Sequence, residues 1–107
     1  MSERADFCLI MTTCGSREEA DGLAHGLVEN HLAACVQISS VTSFYKWEQK
    51  INRDEELLLF IKTRSECYRR AEEFIARNHS YEVPEIIQIP ILSGLADYLG
   101  WIETATR

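Results

Sequence analysis

One short segment of this 107-residue chain concentrates side chains that can bind a cation or transfer a proton. The run from His79 to Glu85 carries an imidazole, a phenol and two carboxylates, and Pro84 constrains its backbone. Such nitrogen and oxygen donors suit Cu(II) or Zn(II), although the run has one histidine and no fixed spacing of three ligands. Cys14 adds a sulfur ligand if the fold brings the two segments together. The pattern is also typical of a plain loop that Pro84 rigidifies and Tyr81 anchors, and the sequence favours this interpretation without excluding the metal site.

The other candidate ligands and nucleophiles are scattered along the chain. The four cysteines, at positions 8, 14, 35 and 67, form neither a Cys-x-x-Cys pair nor a zinc spacing. We find no Ser-His-Asp order, glycine-rich phosphate loop or His-Glu-x-x-His helix. His25 and His31 are interpreted as structural residues, and Cys67 as a packing residue. We therefore expect no enzyme activity. An acylphosphatase-like reaction would need an arginine in a glycine-containing loop, for which residues 12–17 offer only a faint counterpart.

The charge balance excludes several classes of partner. The chain has 17 acidic and 11 basic side chains, a net charge of −6, and its basic residues are not clustered. We therefore expect neither nucleic acid nor membrane as a partner, whereas cations are compatible. No apolar run approaches the roughly 20 residues of a membrane-spanning helix. The first six residues lack the pattern of an export signal, which predicts a cytoplasmic protein with reduced cysteines. The length predicts a single domain over residues 1–107.

Apolar patterning in the first third of the chain predicts a strand and a helix. Residues 7–11 are a continuous apolar run, as expected of a buried first strand. Ser16 begins a capping box, and apolar residues at helical spacing predict a helix from about Arg17 to Asn30. Within it, Gly22 and Gly26 each cost about 1 kcal/mol relative to alanine. Close packing of the helix against a sheet is the expected reason for both glycines.

A hairpin is predicted in the middle of the chain. The β-forming residues from Cys35 to Trp47 predict a long, bent second strand, and the apolar run at 57–61 predicts a third. The polar residues 48–56 are interpreted as the charged connector between these two strands.

The last third of the chain predicts a helix, a strand and a terminal helix. Ser65 is the expected cap of a second helix that ends near Asn78. Residues 85–92 are predicted to form a strand, and its proline places that strand at a sheet edge. A short final helix is expected after a cap at Ser93 or Gly94. The resulting order, β-α-β-β-α-β plus a C-terminal helix, is an α+β, ferredoxin-like split β-α-β fold with a four-stranded antiparallel sheet.

The third strand predicts self-association. Its apolar side chains alternate between both faces, with Leu57, Leu59 and Ile61 on one and Leu58 and Phe60 on the other. Two helices cover only one face of such a sheet, so the second face and the strand edges need a partner. We therefore expect a homo-oligomer.

Five blocks in order along the chain resemble the signatures of the CutA divalent-cation tolerance proteins. They are Leu-Ala-Ala-Cys at 32–35, Ser-Phe-Tyr-Lys-Trp-Glu at 43–48, Leu-Phe-Ile-Lys-Thr at 59–63, His-Ser-Tyr-Glu-Val-Pro-Glu at 79–85 and Asp-Tyr-Leu-Gly-Trp at 97–101. Five ordered blocks with matching spacing are more specific than any one of them, and they cover nearly the whole chain.

The resemblance implies a tight homotrimer of ferredoxin-like subunits, similar in architecture to the PII signalling proteins, with sheet edges paired between subunits. It also implies a role in tolerance of, or response to, divalent metals, copper especially, without an established reaction. A copper site described for bacterial members falls here on Thr12, Asn78 and Glu85, of which only the glutamate matches. Because Cys14 and His79 lie close to the two substituted positions, a shifted Cu(II) site formed by Cys14, His79 and Glu85 is a hypothesis.

The aromatic residues of these blocks have two interpretations. In a trimer they either line a cleft between subunits or only build the interface. The residues concerned are Tyr45, Trp47, Tyr81, Tyr98 and Trp101, together with Lys62. The cleft interpretation gives the alternative function, a PII-like module that senses a small molecule between subunits, although the predicted hairpin connector is short for that role.

Overall fold

The elements follow the predicted order in a computed structural model that describes residues 5–107. The strands are β1 (Phe7–Cys14), β2 (Cys35–Trp47), β3 (Lys50–Arg64) and β4 (Ile87–Ile91), and the helices are α1 (Arg17–Glu29), α2 (Tyr68–Arg77) and α3 (Ala96–Ala105). The strands form one antiparallel sheet in the order β2-β3-β1-β4. This confirms the α+β fold and the position of β4 at an edge. Among residues 5–107, no helix is long and apolar enough to cross a membrane. Residues 1–4, on which the expectation about export partly rests, lie outside the described residues.

The predictions for α1 and β2 are confirmed. The Ser16 side chain caps α1 by accepting a hydrogen bond from the Glu19 N–H at 3.2 Å, as the capping box predicts. β2 has the predicted bounds. β1 is longer than predicted, because residues 12–14 continue the antiparallel pairing with β3.

The prediction that residues 48–56 form a polar connector between β2 and β3 is wrong. Only Glu48 and Gln49 form the turn, both with positive φ, 51° and 65°, as a two-residue type I′ hairpin turn requires. Residues 50–56 instead belong to β3, since each has a partner across the ladder on β2. Side-chain pairs stabilise this polar ribbon, for example the hydrogen bond from the Tyr45 hydroxyl to Asp54.

Two predicted helix caps are also wrong. The Ser65 hydroxyl donates a hydrogen bond to the Ala5 carbonyl at 2.7 Å and lies in a single 3₁₀ turn that precedes α2. Neither Ser93 nor Gly94 caps α3, because the residue before the helix is Leu95, which has no polar side chain.

α1 and α2 cover one face of the sheet, the first face. Buried apolar residues of the two helices meet those of β1 and β3 there in one core. The fully buried members include Cys8, Ile10, Ala20, Leu27, Leu59, Ile61, Ala71 and Ile75.

The two glycines of α1 have different surroundings. An alanine Cβ at Gly26 would lie 2.5 Å from Cζ of Phe74 on α2, whereas one at Gly22 would meet nothing within 4 Å. The predicted close packing therefore holds for Gly26, but against a helix instead of the sheet, and it is wrong for Gly22.

α3 covers part of the opposite face, the second face. The Arg64 guanidinium of β3 donates to the Thr106 hydroxyl at 2.8 Å and to the Thr106 carbonyl at 2.7 Å, and Ile102 is fully buried. The rest of this face and its margin expose large apolar side chains. They are Ile87, Ile89, Leu92, Leu95, Tyr98 and Trp101.

Candidate functional site

The His79 ring is held by hydrogen bonds at both nitrogens. Its side chain is fully buried, and Nε2 lies 2.7 Å from the Thr13 carbonyl oxygen. A carbonyl only accepts, so Nε2 carries the proton, and Nδ1 accepts from the Tyr81 N–H at 3.1 Å. Both ring positions that a metal would use are therefore occupied by protein groups.

Glu19 fastens the loop that follows His79 to the start of α1. Its carboxylate accepts hydrogen bonds from the Ser80 N–H at 2.6 Å and from the Ser80 hydroxyl at 3.1 Å. The carboxylate also lies 3.7 Å from His79 Nδ1. Since charge-assisted bonds of this kind are stronger than neutral ones, we infer that the beginning of the loop is rigid.

Tyr81 fastens the same loop to β3. Its hydroxyl donates to Glu56 Oε2 at 2.8 Å, and a Cβ at Gly15 would lie 3.1 Å from that hydroxyl oxygen. Burial, followed by the hydrogen bond to Glu56, raises the pKa of the Tyr81 phenol. The phenol therefore stays protonated and acts as a donor, which agrees with the interpretation of Tyr81 as the anchor of the loop.

Replacing Tyr81 with phenylalanine is expected to lower the free energy of unfolding by about 1 kcal/mol, because Glu56 loses its donor. Chemical denaturation checks this value. Tyr45→Phe is the matched control: its hydroxyl contacts Asp54 on the exposed ribbon, so a smaller loss is expected. Equal losses in the two variants would contradict the anchoring role of Tyr81.

The structure does not bring Cys14, His79 and Glu85 together as a ligand set. Cys14 is fully buried, and burial, with smaller contributions from Glu19 and Glu56, raises the pKa of its thiol to about 12. The thiolate form that binds metals is therefore disfavoured. Glu85 is exposed. Within residues 5–107, no three His, Cys, Asp or Glu side chains are placed to hold a metal ion.

Thr12 and Asn78 occupy the two other positions of the copper site described for bacterial members. Thr12 is fully buried, and its Oγ1 has no hydrogen-bond partner. Asn78 ends α2, and its side-chain amide donates to the Phe74 carbonyl at 2.8 Å. Neither residue supplies a thiolate or imidazole in place of the expected ligands.

A cavity of about 580 Å³ lies between the 79–85 loop and the outer part of the hairpin. We call it the acidic aromatic cavity. Its chemically distinctive lining residues are Tyr45, Trp47, Glu56, Tyr81, Glu82 and Glu85. The volume is in the range of roughly 300–1,000 Å³ that small-molecule sites have.

The six aromatic and lysine positions predicted to share a cleft form two separate groups in the single chain. Tyr45, Trp47 and Tyr81 line the acidic aromatic cavity. Lys62, Tyr98 and Trp101 form the second group on the side of α3: Lys62 Nζ lies 3.2 Å from the Tyr98 hydroxyl, and the Tyr98 and Trp101 ring centroids are 5.6 Å apart. One cleft containing all six positions would therefore need more than one subunit.

Sequence reasoning missed the roles of Glu19 and Glu56. Glu56 falls in the predicted polar connector, so the sequence does not place it opposite the loop. The sequence indicates Glu19 only as part of a capping box. Leu58 pairs with Thr13, so Glu56, two residues earlier on β3, lies near the end of β1. Predicting this position requires the strand register, which depends on the turn at Glu48 and Gln49.

Comparison with known proteins gives one family. The family model of the CutA1 divalent ion tolerance protein matches residues 8–105. The chain is 39% identical over 99 residues to the divalent-cation tolerance protein CutA of Thermus thermophilus, covering 92% of this chain and 96% of that protein. It is 41% identical over 100 residues to the chloroplastic protein CutA of Arabidopsis thaliana, but it spans only 55% of that protein's length. A solved structure of the periplasmic divalent cation tolerance protein CutA from Archaeoglobus fulgidus superposes with a TM-score of 0.93 at 40% identity, covering 94% and 99% of the two chains.

Proposed function

Because the chain belongs to the CutA1 divalent ion tolerance family, we propose that it serves in the tolerance of divalent cations as a homotrimer. The proposal needs no catalytic step, in keeping with the expectation that the protein is not an enzyme. Its place of action is proposed to be the cytoplasm, where the four free cysteines, all within the described residues, stay reduced.

The exposed apolar second face is the observation that supports self-association, and the number of three subunits is proposed from the resemblance to the family. Leu92 and Leu95 are 85% and 75% exposed, and Ile87 and Ile89 are also exposed on the neighbouring edge strand. Contiguous apolar surface of this kind is characteristic of an interface. Among residues 5–107, no strand pairs with the outer edge of β2 or of β4. Strand pairing between subunits would satisfy the backbone groups of these edges as well.

Divalent cations are proposed to associate with exposed carboxylates, Glu85 among them. A preformed centre of Cys14, His79 and Glu85 does not fit the geometry, since the His79 nitrogens are engaged and the Cys14 thiol is buried. Three chains of charge −6 give an assembly of −18, which attracts cations in general.

Calorimetric titration with Cu(II) tests this mode of binding. We expect weak binding that Glu85→Gln reduces by about two- to fivefold, as for one exposed charge. Cys14→Ser is expected to leave the affinity unchanged. Glu73→Gln, an equally charged change at an exposed site on α2, controls for net charge and is expected to have a smaller effect than Glu85→Gln.

A different outcome would restore the predicted ligand set. Stoichiometric Cu(II) binding that is lost both in Cys14→Ser and in His79→Ala, with unchanged circular dichroism, would mean that these side chains form a specific centre.

The alternative function of a PII-like sensing module gains no support from the names of the relatives reported above.

A further inference from the structure

We propose that, in the homotrimer, the Lys62 ammonium of one subunit forms an ion pair with a carboxylate of the 82–85 segment of the next subunit. This pairing rests on the proposed homotrimer and deepens it, because it names the charged groups that align two neighbouring subunits. Three features support it: the surroundings of Lys62, the carboxylates on the outer part of the same sheet face, and the symmetry of a ring of three.

Lys62 lies in the inner part of the second face. On β3 it pairs with Leu9 of β1 on one side and with Cys35 of β2 on the other, so all three side chains project to the same face. It is half-buried already in the single chain. Its Nζ lies 3.2 Å from the Tyr98 hydroxyl and 5.4 Å from the centroid of that ring. Among residues 5–107, no carboxylate lies within 4.0 Å of this ammonium.

Assembly gives this ammonium a need for a counter-charge. The proposed interface covers the second face, so it removes water from Lys62. An ammonium that is enclosed without an anionic partner is strongly unfavourable, and the Tyr98 ring and hydroxyl offset only part of that cost. The neighbouring subunit is therefore expected to present an anionic group at this position.

Carboxylates lie on the outer part of the same face. Glu56 is six residues before Lys62 on β3, so the two side chains project to one face. Glu56, Glu82 and Glu85 line the acidic aromatic cavity, whose lining in the single chain includes no basic residue. Glu56 already accepts the Tyr81 hydroxyl at 2.8 Å. Glu82 and Glu85 are exposed, and neither forms an ion pair within the described part of the chain, so the 82–85 segment is the better source of a partner for Lys62.

The symmetry of a closed ring of three brings two different patches together. In such a ring the contact is heterologous, so one patch of each subunit meets a different patch of the next. The second face supplies two such patches, an inner one that carries Lys62 and an acidic outer one. Opposite charges on the two patches fix the register of the contact. A small anion from solution is a weaker candidate, because a chain of net charge −6 repels free anions.

Light scattering in a urea series tests the pairing by following the dissociation of the trimer. Lys62→Met keeps the apolar stem and removes the charge, which leaves the neighbouring carboxylate unpaired. We expect its dissociation constant to rise by at least about tenfold at a fixed urea concentration. Lys62→Glu is expected to dissociate still more readily. Combining Lys62→Glu with either Glu82→Lys or Glu85→Lys reverses the pair, and one of these double variants is expected to restore the trimer.

Arg77→Met is the control, because it removes the same charge at an exposed position on α2, outside the proposed interface, and should dissociate like the parent. The pairing is overturned if Lys62→Met dissociates no more readily than the parent, or if neither double variant is more stable than Lys62→Glu. It is also overturned if millimolar sulfate stabilises the parent trimer but not Lys62→Met, because a small anion would then be the counter-charge. A parent protein that is a single chain without urea would instead contradict the homotrimer itself.

Discussion

Replacing Ile89 with aspartate is expected to convert the proposed homotrimer into single chains of 12.3 kDa. Ile89 is 39% exposed on β4, and it pairs with Leu9 on the second face. In the single chain the new carboxylate remains in contact with water, so the subunit itself should fold. In the proposed trimer the same carboxylate would be buried without a partner, which costs several kcal/mol at each of three interfaces. Size-exclusion chromatography with light scattering measures the change in mass.

Val28→Asp is the control for this variant. Val28 is 45% exposed on α1, which packs on the first face, and the proposed interface does not include it. Its mass is expected to stay that of the trimer, with a small loss of stability from an acidic residue near the C-terminus of a helix. If Ile89→Asp is folded by circular dichroism and remains a trimer, the second face is not the interface.

Replacing Gly26 with alanine is expected to destabilise the subunit by up to about 2 kcal/mol. The added methyl group would lie 2.5 Å from Phe74 Cζ, so α1 and the Phe74 ring must separate, and such overpacking costs about 1–3 kcal/mol. The gain of about 1 kcal/mol in helix propensity offsets only part of this cost. The midpoint of chemical denaturation measures the difference.

Gly22→Ala, in the same helix, is expected to stabilise the subunit instead. An alanine Cβ at this position would meet nothing within 4 Å, so the propensity gain of up to about 1 kcal/mol should appear as increased stability. A Phe74→Leu background should reduce the cost of Gly26→Ala if the ring is its cause. Equal effects of the two glycine substitutions in the parent protein would contradict the assigned packing.

The fold was predictable where the local pattern and the tertiary structure favour the same conformation. α1 has a capping serine and a regular apolar stripe, and β2 consists of β-forming residues, so both were predicted nearly to their ends. The prediction for residues 50–56 is wrong because their polarity is typical of a loop. Their strand conformation comes from pairing with β2 across the ladder, and a turn at Glu48 and Gln49 has none of the usual glycine or asparagine signals.

The candidate site was predictable only in part, for a related reason. The 79–85 run was singled out by its composition, and the anchoring role of Tyr81 was among the interpretations. The hydrogen-bond partners of this run could not be predicted, because they are distant in sequence. Glu19 lies 61 residues before Ser80, and Glu56 lies 25 residues before Tyr81. Both partners of the His79 ring nitrogens are backbone groups, which no side-chain pattern reveals.

The molar mass of the parent protein in solution decides whether the chain assembles as a homotrimer. Light scattering at micromolar concentration is expected to give three times 12.3 kDa, about 37 kDa, across the whole elution peak. A mass of 12.3 kDa under the same conditions would contradict the homotrimer, and with it the assignment of the exposed apolar second face to a subunit interface.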